Sequence, residues 1–296
     1  MTQTDAPDRN GLALAIGSYA LWGFLPLYFH ALSSVPALQV LAHRVVWSVL
    51  LLVVLVAALG RTRAILTAAR GRTLLLLFAS AALIAVNWLV YIWAVQHGHV
   101  LAASLGYFIN PLVSVALGMV FLGERLRRVQ GIAIAIAAVG VSVMAVTGGG
   151  AILISLTLAF SFGLYGLVRK VAAIDALGGL TVETVLLTPL AAVWLAHAAA
   201  LGETGFGQST STDALILAAG VVTATPLLMF AAATRRLPLS MMGLLQYVAP
   251  TLQFIIGLSL GEPLRTVHLI TFAAIWSGCA LYAWDSVRAV RAPQPQ

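Results

Sequence analysis

Charge is what this chain lacks most. Asp, Glu, Lys and Arg together make up 8% of its 296 residues, where a soluble domain carries about 25%. None of the four occurs in residues 73–123 or in residues 129–168. Each of these runs is too long for one bilayer crossing of about 20 residues and too short for three, so each reads as two helices joined by a tight turn. Cysteine is nearly absent as well: Cys279 stands alone, which excludes an intrachain disulfide and argues against a metal cluster. The first ten residues, MTQTDAPDRN, have no basic n-region of a cleaved signal peptide, so the first apolar stretch is expected to be retained. HExxH and a pair of carboxylates at mid-depth are missing, which leaves an intramembrane enzyme without metal-ligand or paired-acid chemistry. No cofactor is expected either. The glycines at 148–150 lack the lysine and flanking strand of a phosphate loop, and His97 and His99 make no metal site by spacing alone.

What is present is apolar length. Hydrophobic residues reach 61% of the chain and the mean hydropathy is +1.02. Apolar runs place ten spans near 11–31, 36–59, 74–96, 99–121, 129–147, 150–169, 179–201, 213–234, 239–260 and 266–287. Positive charge falls in every second connection: Arg61, Arg63, Arg70 and Arg72; Arg125, Arg127 and Arg128; Arg169 and Lys170; Arg235 and Arg236. Arg9 precedes the first span and Arg288 and Arg291 follow the tenth, while the opposite loops offer only Arg265. That alternation is the signature of the positive-inside rule, and it puts both termini in the cytoplasm. The net charge of +7 therefore belongs to loops facing an anionic leaflet rather than to a nucleic-acid surface.

The chain also repeats weakly. Trp22-Gly23 returns as Phe162-Gly163 at an offset of 140, Pro111 as Pro250 at 139, and Gly123-Glu124 as Gly261-Glu262 at 138. Each half holds five spans, an odd number, so the second copy enters the membrane from the opposite side. The expected fold is an all-α polytopic membrane protein with ten transmembrane helices in an inverted 5+5 repeat. Its parts are a tail over 1–10, a first half over 11–147, a second over 148–287 and a tail over 288–296.

Polar residues gather at the prolines. Pro111 lies midway along the fourth span and Pro250 midway along the ninth; each removes a helical hydrogen bond and frees the carbonyl four residues earlier, of Tyr107 and of Gln246. Ser104, Tyr107 and Asn110 share one helical face, Gln246 and Gln253 another. Such stripes serve either as interhelical hydrogen-bond glue or as the lining of a midplane pocket, and their pairing favours the pocket, with the prolines as hinges. Arg44 sits about 12 Å into the second span, where it either snorkels outward or needs a partner: a substrate carboxylate, a backbone carbonyl or water. Glu183, which the repeat matches to His43, reads as an interfacial residue, with proton coupling as the alternative. Trp22 and Trp88 fall near mid-depth, where a planar solute could stack; Tyr28, Trp194 and Trp284 fit interfacial anchors. The candidate substrate-binding set is Arg44, Trp22, Asn87, Trp88, Tyr107, Asn110, Gln246 and Tyr247. No metal site, catalytic residue or nucleic-acid partner is expected; the partners are a small-molecule substrate and the bilayer.

Several segments carry a resemblance. LAHRVVWS at 41–48, NWLVYIWAVQHGHVLAASLGYFINPLVSVALG at 87–118, FLGERLRR at 121–128, LAFSFGLYGLVRK at 158–170 and GLLQYVAPTLQF at 243–254 resemble the RarD-type permeases. These belong to the EamA branch of the drug/metabolite transporter superfamily. The resemblance runs from about residue 10 to 288 and implies a ten-helix inverted-repeat permease of the bacterial inner membrane. It further implies a tie to chloramphenicol sensitivity and, through related exporters, to amino acids and other small metabolites. The expected function is export of a small amphipathic solute by alternating access. A non-transporting membrane scaffold or sensor is the competing class, and an intramembrane enzyme the weaker one.

Overall fold

The computed structural model describes residues 8–123, 128–147, 151–234, 236–237, 242 and 245–291, with residues 286–291 by backbone only. Glu124, Arg125, Arg127, Arg235, the glycines at 148–150, the outermost residues of both tails and the side chains of Arg288 and Arg291 lie outside the described residues. Among the described residues all regular structure is helical. In chain order the helices are α1 (Arg9–Ala31), α2 (Ala37–Ala58), α3 (Thr62–Ala68), α4 (Gly71–Gln96), α5 (Val100–Leu122), α6 (Arg128–Thr147), α7 (Ala151–Val171), α8 (Ala176–Ala200), α9 (Thr210–Thr234), α10 (Val248–Ser259) and α11 (Thr266–Arg291). Seven of them, α1, α2, α4, α5, α7, α8 and α9, are long and apolar enough to cross a membrane. The apolar parts of the other three are shorter: Arg128–Met144, Val248–Ser259 and Thr266–Tyr282. Helix is the form expected of such segments, because it satisfies every backbone group within the segment.

Two features depart from the sequence reading. The arginine-rich connection after the second span is not loop throughout: Thr62–Ala68 forms the short helix α3, anchored by buried Ile65. The ninth span is not one helix kinked at its middle. Residues 246–247 form a turn and the helix restarts at Val248, putting Pro250 in its first turn. Proline suits that place, because the first turn needs no N–H from it, whereas a mid-helix proline withdraws a bond and clashes. Pro111, by contrast, stays inside a continuous α5. The uncharged run 73–123 does divide, at the turn His97-Gly98-His99, where Gly98 takes φ +70° as only glycine does without strain.

Packing is dominated by contacts between helices α1–α6 and helices α7–α11. α5 and α4 pack on α7, α1 on α9 and α10, α2 on α8 and α9, α5 on α10, and α6 on α11. With lipid outside, no hydrophobic force drives these contacts, so close backbone approach at small residues must. Gly23 of α1 faces α10, where an added Cβ would meet Leu252 Cβ at 2.7 Å and the Ala249 carbonyl at 3.3 Å. Gly163 of α7 faces α5, where a Cβ would meet Val113 Cγ1 at 2.8 Å. The main core, built around Phe29, Val45, Tyr91, Ile92, Val95, Ala103 and Leu158, surrounds the polar groups described next.

Candidate functional site

Arg44 lies two turns into α2 with only 7% of its surface exposed. Helix α9 comes close enough to meet it because Gly220 has no side chain; a Cβ there would stand 2.6 Å from the Trp47 carbonyl. Thr223, one turn further along α9, thereby reaches Arg44: Nε donates to Thr223 Oγ1 at 2.8 Å. That hydroxyl spends its own proton on the Ala219 carbonyl at 2.8 Å and accepts with a lone pair. Cζ of Arg44 lies 4.1 Å from the centroid of the Trp88 ring and 5.8 Å from that of Phe29, a cation–π arrangement worth about 2 kcal/mol when desolvated. The phenols of Tyr107, Tyr28 and Tyr91 lie within electrostatic reach. The side chain therefore turns inward rather than snorkelling, and its protein partners are a hydroxyl and aromatic faces instead of a carbonyl. Tyr28 is more than an interfacial anchor, since it is half-buried and donates to the Leu215 carbonyl at 2.9 Å.

A second polar group begins one residue from Trp88. Asn87, fully buried on α4, donates through Nδ2 to the Leu158 carbonyl and to Ser161 Oγ, both at 3.0 Å, and its Oδ1 accepts from Tyr107 Oη at 3.1 Å. Tyr107 packs edge-on against Tyr91 at 5.5 Å, and the Tyr91 hydroxyl is buried with no hydrogen-bond partner. Arg44, Trp88, Asn87 and Tyr107 are thus brought together by α2, α4 and α5, with Tyr91 completing the cluster.

The proline-flanking residues divide. Asn110 is 9% exposed, its Oδ1 is unpartnered, and it faces the backbone of Gly163. Ser104 Oγ donates to the Pro250 carbonyl at 2.7 Å, tying α5 to the first turn of α10. Gln253 donates to the Trp22 carbonyl at 3.2 Å, while its Oε1 is unpartnered. Trp22 does not join Arg44; its ring packs on Tyr19 at 5.6 Å and Phe230 at 5.7 Å. Tyr247 stacks on Phe108 at 6.1 Å in another cluster. Gln246 lies in the turn before α10.

Glu183 is 1% exposed and lies two turns into α8. Its Oε1 accepts from Ser80 Oγ of α4 at 2.6 Å and stands 3.6 Å from Arg169 Nε; its Oε2 accepts from Tyr165 Oη at 3.3 Å. Arg169 continues to the Asp175 carbonyl at 3.0 Å, and the Asp175 carboxylate is held by both Nη atoms of Arg61 at 3.0 and 3.2 Å. The guanidinium of Arg169 covers Gly179 so closely that any Cβ there would overlap it.

A buried, multi-helix polar cluster of this kind is common to many membrane proteins, and comparison with known chains narrows it. The profile of the EamA-like transporter family matches residues 9–146. Protein RarD of Escherichia coli (strain K12) is 44% identical over 282 residues, spanning 94% of this chain and 95% of that one. The chain belongs to the RarD-type EamA permeases. An "uncharacterized transporter" of Vibrio cholerae is 43% identical over 292 residues, 98% of this chain and 97% of the other. A "chloramphenicol-sensitive protein RarD" of Pseudomonas aeruginosa is 37% identical over 291 residues, 95% and 96% of the two chains. One solved crystal structure superposes with a TM-score of 0.61 at 19% identity, over 95% of this chain and 99% of that one, a likeness of fold alone.

In this RarD-type permease the residues that sequence reasoning missed are Thr223, Tyr91, Phe29 and Ser161. Thr, Ser and aromatic residues are frequent in spans and carry no periodic mark, so only their proximity to Arg44 and Asn87 singles them out. The Gly261-Glu262 pair acquires a role: Glu262 accepts from the Leu101 amide at 2.9 Å and from the Val100 amide, capping α5. Burial pushes its carboxyl above the ordinary glutamate range, against the two amides and His99, which pull it down.

Proposed function

We propose that this permease is a secondary transporter of the bacterial inner membrane, made of two inverted five-helix halves, that exports a small amphipathic solute by alternating access. The observation that carries the reading is the Arg44 cluster: a buried, incompletely partnered polar site assembled by helices from both halves. Support for the repeat comes from how the helices pair. Exchange of α1, α2, α4, α5 and α6 for α7, α8, α9, α10 and α11 turns the α5–α7 contact into α10–α1, the α4–α7 contact into α9–α1, and the α2–α9 contact into α8–α4. The α2–α8, α5–α10 and α6–α11 contacts map onto themselves. The repeat markers follow suit: Gly23 docks two residues after Pro250, at Leu252, and Gly163 docks two residues after Pro111, at Val113.

In this reading Arg44 fixes the polar or anionic end of the solute, Asn87, Tyr107 and Asn110 orient it, and Trp88 bounds its apolar part. Trp22, Gln246 and Tyr247 border the α10 side of the path. Pro111 and the turn before Pro250 let the crossing helices flex. Glu183, held by its own partners, belongs to the closed inner end rather than to proton coupling. An amino-acid-like metabolite or an amphenicol-type drug, the latter suggested by the name of the Pseudomonas relative, are the candidate solutes.

The test is flux from loaded proteoliposomes. Saturable efflux of a small solute, lost in Arg44→Ala, is expected; absence of saturable flux for any solute ends the transport reading and leaves a scaffold or sensor. Proton-driven flux that survives in Glu183→Gln agrees with the structural assignment of Glu183, and its loss overturns it. Cysteines substituted for Arg70 and Arg235 should label from the cytoplasmic side together; labelling from opposite sides would break the inverted repeat.

A further inference from the structure

Arg44 presents a charge that the protein does not neutralise. Only its Nε has a hydrogen-bond partner among the described residues, so the two Nη groups keep four N–H donors unspent. The buried carboxylate of Glu183 is bound to Ser80, Tyr165 and Arg169. The groups electrostatically coupled to Arg44 are all phenols: Tyr107, Tyr28 and Tyr91. A buried cation without a counter-ion is costly unless a ligand supplies one, and the free edge of a guanidinium is a planar fork matched to a carboxylate.

From this we infer that the Arg44 cluster binds an aryl monocarboxylate, its carboxylate held by both Nη groups of Arg44 and its ring set among Trp88, Phe29 and Tyr91. The inference rests on the transport reading for its physiological use, and on the site's chemistry for its substance. One carboxylate cancels the one positive charge; a phosphate dianion would leave a buried negative charge, since no second Lys or Arg bonds into this cluster among the described residues. The Tyr91 hydroxyl, buried and without a hydrogen-bond partner among the described residues, is a further donor within electrostatic reach of Arg44. An ammonium finds no carboxylate there, so a zwitterionic amino acid gains less than the simple acid. A neutral amphenicol leaves the fork unsatisfied.

The test uses the purified full chain in phosphatidylcholine nanodiscs, with binding read by thermal midpoint and by tryptophan fluorescence. The probes are phenylacetate, phenylalanine, phenylacetamide and chloramphenicol. Phenylacetate should bind about 10- to 100-fold more tightly than phenylacetamide, the span expected of a charge-assisted bidentate contact, with phenylalanine between them. Arg44→Gln should abolish the preference for acid over amide. Arg44→Lys, which keeps the charge and the fold but loses the fork, should reduce it at least several-fold. Equal binding of acid and amide, a preference that survives Arg44→Gln, or phenylalanine binding at least as tightly as phenylacetate overturns the inference. Loss of the phenylacetate effect in phosphatidylglycerol nanodiscs also overturns it, since the occupant would then be a lipid headgroup. Binding without proteoliposome flux would sustain the carboxylate site and remove the transport reading; saturable flux indifferent to Arg44 would do the reverse.

Discussion

Two buried charges, Arg44 and Glu183, stand 139 residues apart, the same offset as Pro111 and Pro250. Arg44 lies on α2 and Glu183 on α8, and each bonds a hydroxyl on another helix, Thr223 on α9 and Ser80 on α4. In the proposed repeat Glu183 therefore answers to Arg44 rather than to His43. Their surroundings differ in one respect. Both oxygens of Glu183 are occupied and its countercharge is at 3.6 Å, whereas Arg44 has one nitrogen occupied and no countercharge among the described residues. The pair teaches that burial alone does not mark a site. Glu183 is held by its own partners, whereas among the described residues the two Nη groups of Arg44 are left unbonded.

Mutation separates the two most widely by stability. Arg169→Ala leaves Glu183 buried without its cation and should cost about 3–5 kcal/mol, the usual penalty for breaking a buried pair from one side, read as a lower thermal midpoint in detergent. Arg44→Gln should stay within about 1 kcal/mol of wild type, because the lost cation–π contact is offset by removal of an uncompensated charge, while its flux disappears. Equal destabilisation by the two would erase the distinction. Next in size, Gly23→Ala and Gly163→Ala should each cost roughly 1–3 kcal/mol by overpacking, and by similar amounts if the halves are equivalent; a large inequality would break the symmetry from which the comparison starts. Tyr107→Phe removes one bond to Asn87 and should cost about 0.5–1.5 kcal/mol, sharpening how far the cluster beside Arg44 is structural.

The smallest effect concerns Glu262 and pH. The carboxyl of Glu262 is raised above its ordinary value, so its folded state favours the proton. Its contribution is fully present below the ordinary glutamate value and is lost as pH rises through the raised one. Wild type should lose thermal stability over that window relative to Glu262→Gln; parallel pH curves would show that the cap does not titrate there.

Much of this was legible in the letters. The uncharged run 73–123 divided where expected at His97-Gly98-His99, and Arg44, Trp88, Asn87 and Tyr107 announced themselves as polar or aromatic groups at depth. Trp22 and Tyr247 did too, yet they pack into separate aromatic clusters, because depth along a span says nothing about which neighbour a side chain faces. The break before Pro250 escaped notice because an apolar run of 22 residues reads the same whether or not its backbone is continuous.

The amino-acid order by itself determined that the chain is helical and apolar along its length, where its charges fall, and which spans carry a polar group. Those are properties of contiguous windows of about 20 residues, set by the need to satisfy the backbone within each crossing. Which polar groups are satisfied was decided only by tertiary structure. The partners of Arg44, Glu183 and Gln253 lie 179, 103 and 231 residues away, and they meet because glycine notches on facing helices let the backbones close.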